Sequence, residues 1–154
     1  MSASATVHGE GWLASYRSGF SLKDLAIGFV AGCLGVLVFH QLTVWGLVGR
    51  APWSTWAPTR PFGVPVLLSI TFWGGVWGMV FALIAPRLPR GIGFYIAGLV
   101  FGALAPTLAG WFIVPLFKGG AFGPPAVFWR GLVINGAWGL GTAIFMTLLR
   151  RVIR

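Results

Sequence analysis

LAIGFVAGCLGVLVFHQLTVWGLVG, the stretch from Leu25 to Gly49, contains no charged side chain. At 1.5 Å of rise per residue, about 20 apolar residues carry a helix across roughly 30 Å of hydrocarbon. The stretch is therefore long enough to cross a bilayer. Three more charge-free intervals follow, from Pro61 to Pro86, Gly91 to Phe117 and Gly131 to Leu149. The fourth span reaches back to about Val127 and takes Arg130 into its first turns. Strand-like alternation of apolar and polar residues is absent, which excludes a transmembrane β-barrel.

The composition agrees. Of 154 residues, 57% are hydrophobic and only 8% charged, 11 basic and 2 acidic. A soluble domain needs roughly a quarter of its residues charged to keep its surface wet. A soluble globular fold is excluded. The 24 glycines follow no Gly-X-Y period, and the single cysteine rules out an internal disulfide framework. The expected fold is an all-α membrane protein of four transmembrane helices, at about 25–48, 64–85, 93–117 and 127–149. The membrane domain covers 25–151, and residues 1–24 form a cytoplasmic tail.

The basic residues set the orientation. One side of the membrane receives Arg17, Lys23, Arg87, Arg90, Arg150, Arg151 and Arg154; the other receives Arg50, Arg60, Lys118 and Arg130. The positive-inside rule places both termini in the cytoplasm. Trp45, Trp53, Trp56, Trp111 and Trp129 gather at the outer interface, where an amphipathic indole is stable. No cleavable signal peptide is apparent. In the tail, Trp12, Tyr16 and Phe20 fall at i, i+4 and i+8, a spacing suited to a helix lying in the inner headgroup layer. A disordered tail is the alternative, favoured by Gly11 and Gly19. The +9 net charge is spread over span ends and forms no stripe, so anionic lipid at the cytoplasmic face is the expected partner and nucleic acid is not.

A two-helix unit recurs weakly. Ile27-Gly28-Phe29 returns as Ile92-Gly93-Phe94, Ala31-Gly32 as Ala97-Gly98, and Trp45 as Trp111, at offsets of 65 to 66. Phe62-Gly63-Val64-Pro65 returns as Phe122-Gly123-Pro124-Pro125, and Gly75-Val76-Trp77-Gly78 as Gly136-Ala137-Trp138-Gly139, at offsets of 60 to 61. Repeats in the same orientation predict two hairpins packed as a pseudo-symmetric bundle, with the axis along the membrane normal. Gly28 and Gly32, Gly74 and Gly78, and Gly98 and Gly102 are each four apart. With Gly136 and Gly139 they are expected to bring helix backbones together, since packing drives association in lipid.

Polar side chains within a span are costly and therefore informative. His40, Gln41, Ser69, Thr71, Thr107 and Asn135 fall roughly 3 to 8 Å outside the midplane, estimated from helical rise. Pro106 frees the carbonyl of Gly102, which lipid cannot satisfy. His40, Gln41, Asn135 and that carbonyl could form one network, serving either as an interhelical clamp or as a small pocket open to the outside. Arg130 either snorkels to the headgroups beside Trp129 or turns inward to attract an anion.

No carboxylate lies in any span, because Glu10 and Asp24 are the only acids. That argues against carboxylate-based proton or sodium coupling and against a carboxylate-lined divalent-cation pore. Two histidines and one cysteine are too few for a buried multi-ligand metal site, and no cofactor is expected. His8 and His40 lie on opposite sides, which disfavours a haem within one protomer. With no acid partner for His40, no catalytic triad can be assembled and an enzyme is not expected.

The stretches Gly28 to Gly32, Phe39-His40-Gln41, Phe62 to Pro65, Phe72 to Gly75 and Asn135 to Gly139 resemble a group of small uncharacterised four-span bacterial inner-membrane proteins. The resemblance covers about Leu25 to Arg151. It implies a bacterial inner-membrane location and carries over no activity or functional residue. Two roles follow from the residues: a non-enzymatic scaffold, assembly or accessory subunit in a homo-oligomer or larger membrane complex, or a small channel or facilitator for a neutral or anionic solute. A cofactor-carrying electron-transfer subunit is a weaker third.

Overall fold

The computed structural model describes residues 21–153, so the aromatic face expected at Trp12, Tyr16 and Phe20 lies outside the described residues. Four helices long and apolar enough to cross a membrane fill that range: α1 (Leu22–Val48), α2 (Val66–Arg87), α3 (Ile92–Phe117) and α4 (Phe128–Val152). The secondary structure of the described residues is helical, and the chain is a multi-pass membrane protein.

Local chemistry sets the helix ends. Ser21 caps α1: its side-chain oxygen accepts the Asp24 N–H at 3.1 Å and its hydroxyl donates to the Asp24 carboxylate at 2.9 Å. This holds one N-terminal amide and places a negative charge at the positive end of the helix dipole. At the far end Gly49 adopts φ 72° and returns its N–H to the Trp45 carbonyl, a left-handed stop that glycine accepts without strain. α2 starts behind Pro65 and tightens into a 3₁₀ turn at Ala85–Arg87. The last turn of α4 carries Arg150 and Arg151, which suit the negative end of its dipole.

α1 packs along both α2 and α4, and α3 packs along α4. Each hairpin is joined by backbone contact. A Cβ at Gly32 would collide with the Gly74 carbonyl, and one at Gly78 with that of Gly28. In the second hairpin a Cβ at Gly102 would strike the Asn135 carbonyl, and one at Gly139 that of Gly98. Gly136 sits more loosely: a Cβ added there would lie 3.4 Å from the Ala103 methyl. The contacts of Gly28 and Gly32 with Gly78 and Gly74 thus match those of Gly98 and Gly102 with Gly139 and Asn135.

That match pairs the second helices at an offset of 61, as the sequence blocks do. The first helices pair at 70, one helical turn beyond the 66 of the Ala-Gly blocks. A four-residue glycine spacing looks the same after a shift of one turn, so sequence matching alone cannot fix the register. The shift makes Phe101 the counterpart of Ala31 in the second hairpin, a large ring where the first has a methyl. Beside Gly35 and Gly74, Trp138 enters the α1–α4 seam, and Phe39 covers Gly141. Between α2 and α3 the spacing is aromatic: Phe81 lies 5.4 Å from Phe94 and 5.3 Å from Phe101, and Trp77 lies 6.1 Å from Phe101. Phe81, Met146 and Thr142 are fully enclosed.

α1 and α3 each contain a π-turn, at Val36–His40 and Ala109–Ile113. The second follows Pro106, whose missing N–H already interrupts the helical ladder.

Candidate functional site

The polar residues of the outer half resolve into two separate arrangements. In the first hairpin, Gln41 is almost wholly buried, and its Oε1 accepts the backbone N–H of Trp53 at 3.2 Å. The Trp53 indole donates to the Leu37 carbonyl at 2.8 Å. Leu37 lies in the π-turn, where the widened ladder leaves a carbonyl available to an outside donor. The segment 49–65 thereby folds back on α1. It is closed at its other end by Leu67 N–H to Thr55 O and Val66 N–H to Ala57 O. Trp53 holds a left-handed φ of 57°, uncommon for a large side chain. Its two hydrogen bonds to α1 hold it there.

In the second hairpin, Asn135 Nδ2 donates to Thr107 Oγ1 at 2.8 Å, and Thr107 donates to the Gly131 carbonyl at 3.2 Å. Thr107 is buried. This chain of bonds ties α3 to α4 in the turn above the Gly102 contact. Pro106 lies beside it, so the polar pair stands where the α3 ladder is weakest.

The single network expected from depth alone does not form: among the described residues no hydrogen bond joins His40 or Gln41 to Asn135. Asn135 turns its amide to Thr107, and its backbone carbonyl faces Gly102 as a packing contact. Thr71 bonds its own helix, donating to the Leu67 carbonyl at 2.7 Å, while its carbonyl accepts the Cys33 thiol at 3.4 Å. His40 Nδ1 is sealed from solvent and has no hydrogen-bond partner. Arg130 is exposed, with its guanidinium carbon 5.7 Å from the Trp129 ring centroid. That cation–π geometry keeps its charge at the rim of the bundle.

Among the described residues of this layer, His40 is the single side chain able to ligate a metal or haem. Among the described residues, no group of three His, Cys, Asp or Glu side chains converges. The hydrogen bonds of the layer join helix to helix and loop to helix.

Two participants escaped the sequence reading. Trp53 read as an interfacial tryptophan, although its indole anchors a loop. Trp138 read as part of a repeat, although its Nε1 donates to the Gly32 carbonyl from the other hairpin at 2.9 Å. The missing side chains of Gly35 and Gly74, which leave room for an indole, were the available signal. No protein-family model matches the chain, and no curated protein or solved structure matches it either.

Proposed function

We propose that this chain is a non-enzymatic integral protein of a bacterial inner membrane. It serves as a scaffold, assembly or accessory subunit, with both termini in the cytoplasm. The location rests on the resemblance given above, and the topology on the charge asymmetry of the loops. One observation carries the role: the interior is filled by Phe81, Met146 and Thr142, and Gln41, Thr107 and Asn135 bond within the chain. A close-packed interior with internally bonded polar groups suits a rigid membrane element better than a conduit. The matched glycine contacts of the two hairpins further support a duplicated two-helix unit.

Native purification in mild detergent tests this reading. A stoichiometric partner or a discrete homo-oligomer is expected; a lone monomer at native abundance overturns it.

The alternative is a facilitator for a small neutral or anionic solute, and the unpaired Nδ1 of His40 is the observation in its favour. It predicts that His40→Ala abolishes solute flux in proteoliposomes while the fold survives. No flux in the wild type, with only a stability change in the variant, removes it.

A further inference from the structure

We propose that the end of the bundle opposite the polar layer binds a phosphate group, that of an anionic phospholipid. A cleft of about 650 Å³ opens there between the α2–α3 turn, the first turn of α3 and the last turns of α4. Arg90 from the turn and Arg150 and Arg151 from α4 line it, together with Tyr95 and Thr147. A positive charge at a span end ordinarily serves topology and is separately solvated. Here a turn and a helix end, far apart in sequence, bring three arginines to the lining of one concavity.

The charges are unbalanced. Asp24 is the only acid among the described residues, and it is already bound by the Ser21 hydroxyl at 2.9 Å and by Arg150 at 3.2 Å. Three guanidiniums against one carboxylate leave a positive surplus. Arginine's planar fork matches pairs of phosphate oxygens, and the ion pair with Asp24 uses only part of the donor set of Arg150. The volume lies in the range of clefts that enclose a small organic group.

A phospholipid fits better than free phosphate. The cleft opens at the helix ends, where headgroups lie. Ile92 and Ile96, 75% and 57% exposed, stand four residues apart on α3 and lead from the cleft toward the bilayer centre. An acyl chain can lie along that stripe; inorganic phosphate gains nothing from it.

The experiment uses the full chain purified in detergent, with native mass spectrometry counting retained phosphatidylglycerol. Arg90 and Arg151 are exposed, so Arg90→Gln with Arg151→Gln is expected to fold, as circular dichroism will show. Each arginine near a phosphate contributes about fivefold, so this variant should bind phosphatidylglycerol about thirtyfold more weakly. Arg90→Lys with Arg151→Lys should recover most of the loss. Arg50→Gln with Arg60→Gln, an equal charge change at the other end, should stay within about twofold of wild type. Unchanged affinity in the first variant, or an equal loss in the Arg50 and Arg60 variant, overturns the site. Adding inorganic phosphate separates the sources: lipid retained against millimolar phosphate supports the lipid assignment, and phosphate binding without retained lipid overturns it.

Discussion

Trp138 donates its indole N–H to the carbonyl oxygen of Gly32 at 2.9 Å, joining the second hairpin to the first inside the bundle. Hydrogen bonds between membrane helices contribute about 0.6 kcal/mol on average and up to about 1.7. Trp138→Phe, which keeps a ring in the seam, should lower stability by about 1 kcal/mol. Trp138→Ala also empties the seam and should cost about 3–5 kcal/mol. Reversible denaturation in mixed micelles measures both. Equal losses would assign the whole effect to the hydrogen bond.

The glycines divide into two classes. Gly78→Ala and Gly102→Ala place a methyl against a facing backbone and should cost about 1–3 kcal/mol by forcing a hairpin apart. Gly46 and Gly110 have nothing within 4 Å of an added Cβ. Alanine there should change stability by no more than about 0.5 kcal/mol. Thermal melts of the four variants in one detergent give the comparison; similar losses at all four sites contradict the packing.

Asn135 and Thr107 should be energetically coupled, and Asn135 and His40 should not. A double-mutant cycle with alanine at Asn135 and Thr107 is expected to give a coupling of about 0.5–1.5 kcal/mol. The corresponding cycle with His40 should stay within about 0.3 kcal/mol. Strong coupling to His40 would restore the single network that the hydrogen bonds do not show.

Gln41→Leu removes the acceptor of the Trp53 N–H and should loosen the segment 49–65 without unfolding α1. The expected result is several-fold faster proteolysis within that segment, with helical content unchanged. Trp53→Gly suits the left-handed backbone but deletes the bond to Leu37, and should loosen the segment in the same way. Protection equal to wild type in both variants would show that the segment is held elsewhere.

Four spans were legible because their signal is the absence of charge over a fixed length, which needs no knowledge of neighbours. Rotation about each helix axis was not. In water, an apolar stripe marks the buried face of a helix; in lipid, the core and the solvent are both apolar and that contrast disappears. His40, Gln41, Thr107 and Asn135 could therefore be placed at a common depth, while their directions around the helices stayed open. This is how Asn135 was read toward His40 when it faces Thr107. Glycine marked the close seams, since only a missing side chain allows backbone contact. The register of the first helices was lost to the four-residue spacing that makes those seams. The basic cleft was hidden for another reason: Arg90 and Arg151 are 61 residues apart and meet only through the fold.

The aromatic filling between α2 and α3 gives the bundle an uneven mechanical character. Within each hairpin, between α1 and α2 and between α3 and α4, backbone lies close to backbone, and any widening must break contacts that no side-chain rotation can restore. Between α2 and α3, the rings of Trp77, Phe81, Phe94 and Phe101 can tilt and slide while staying in touch. The molecule is built like a bound book, with each hairpin a stiff cover, the α1–α4 seam the spine and the rings between α2 and α3 the open edge. Lateral pressure from the surrounding lipid should therefore be taken up at that open edge.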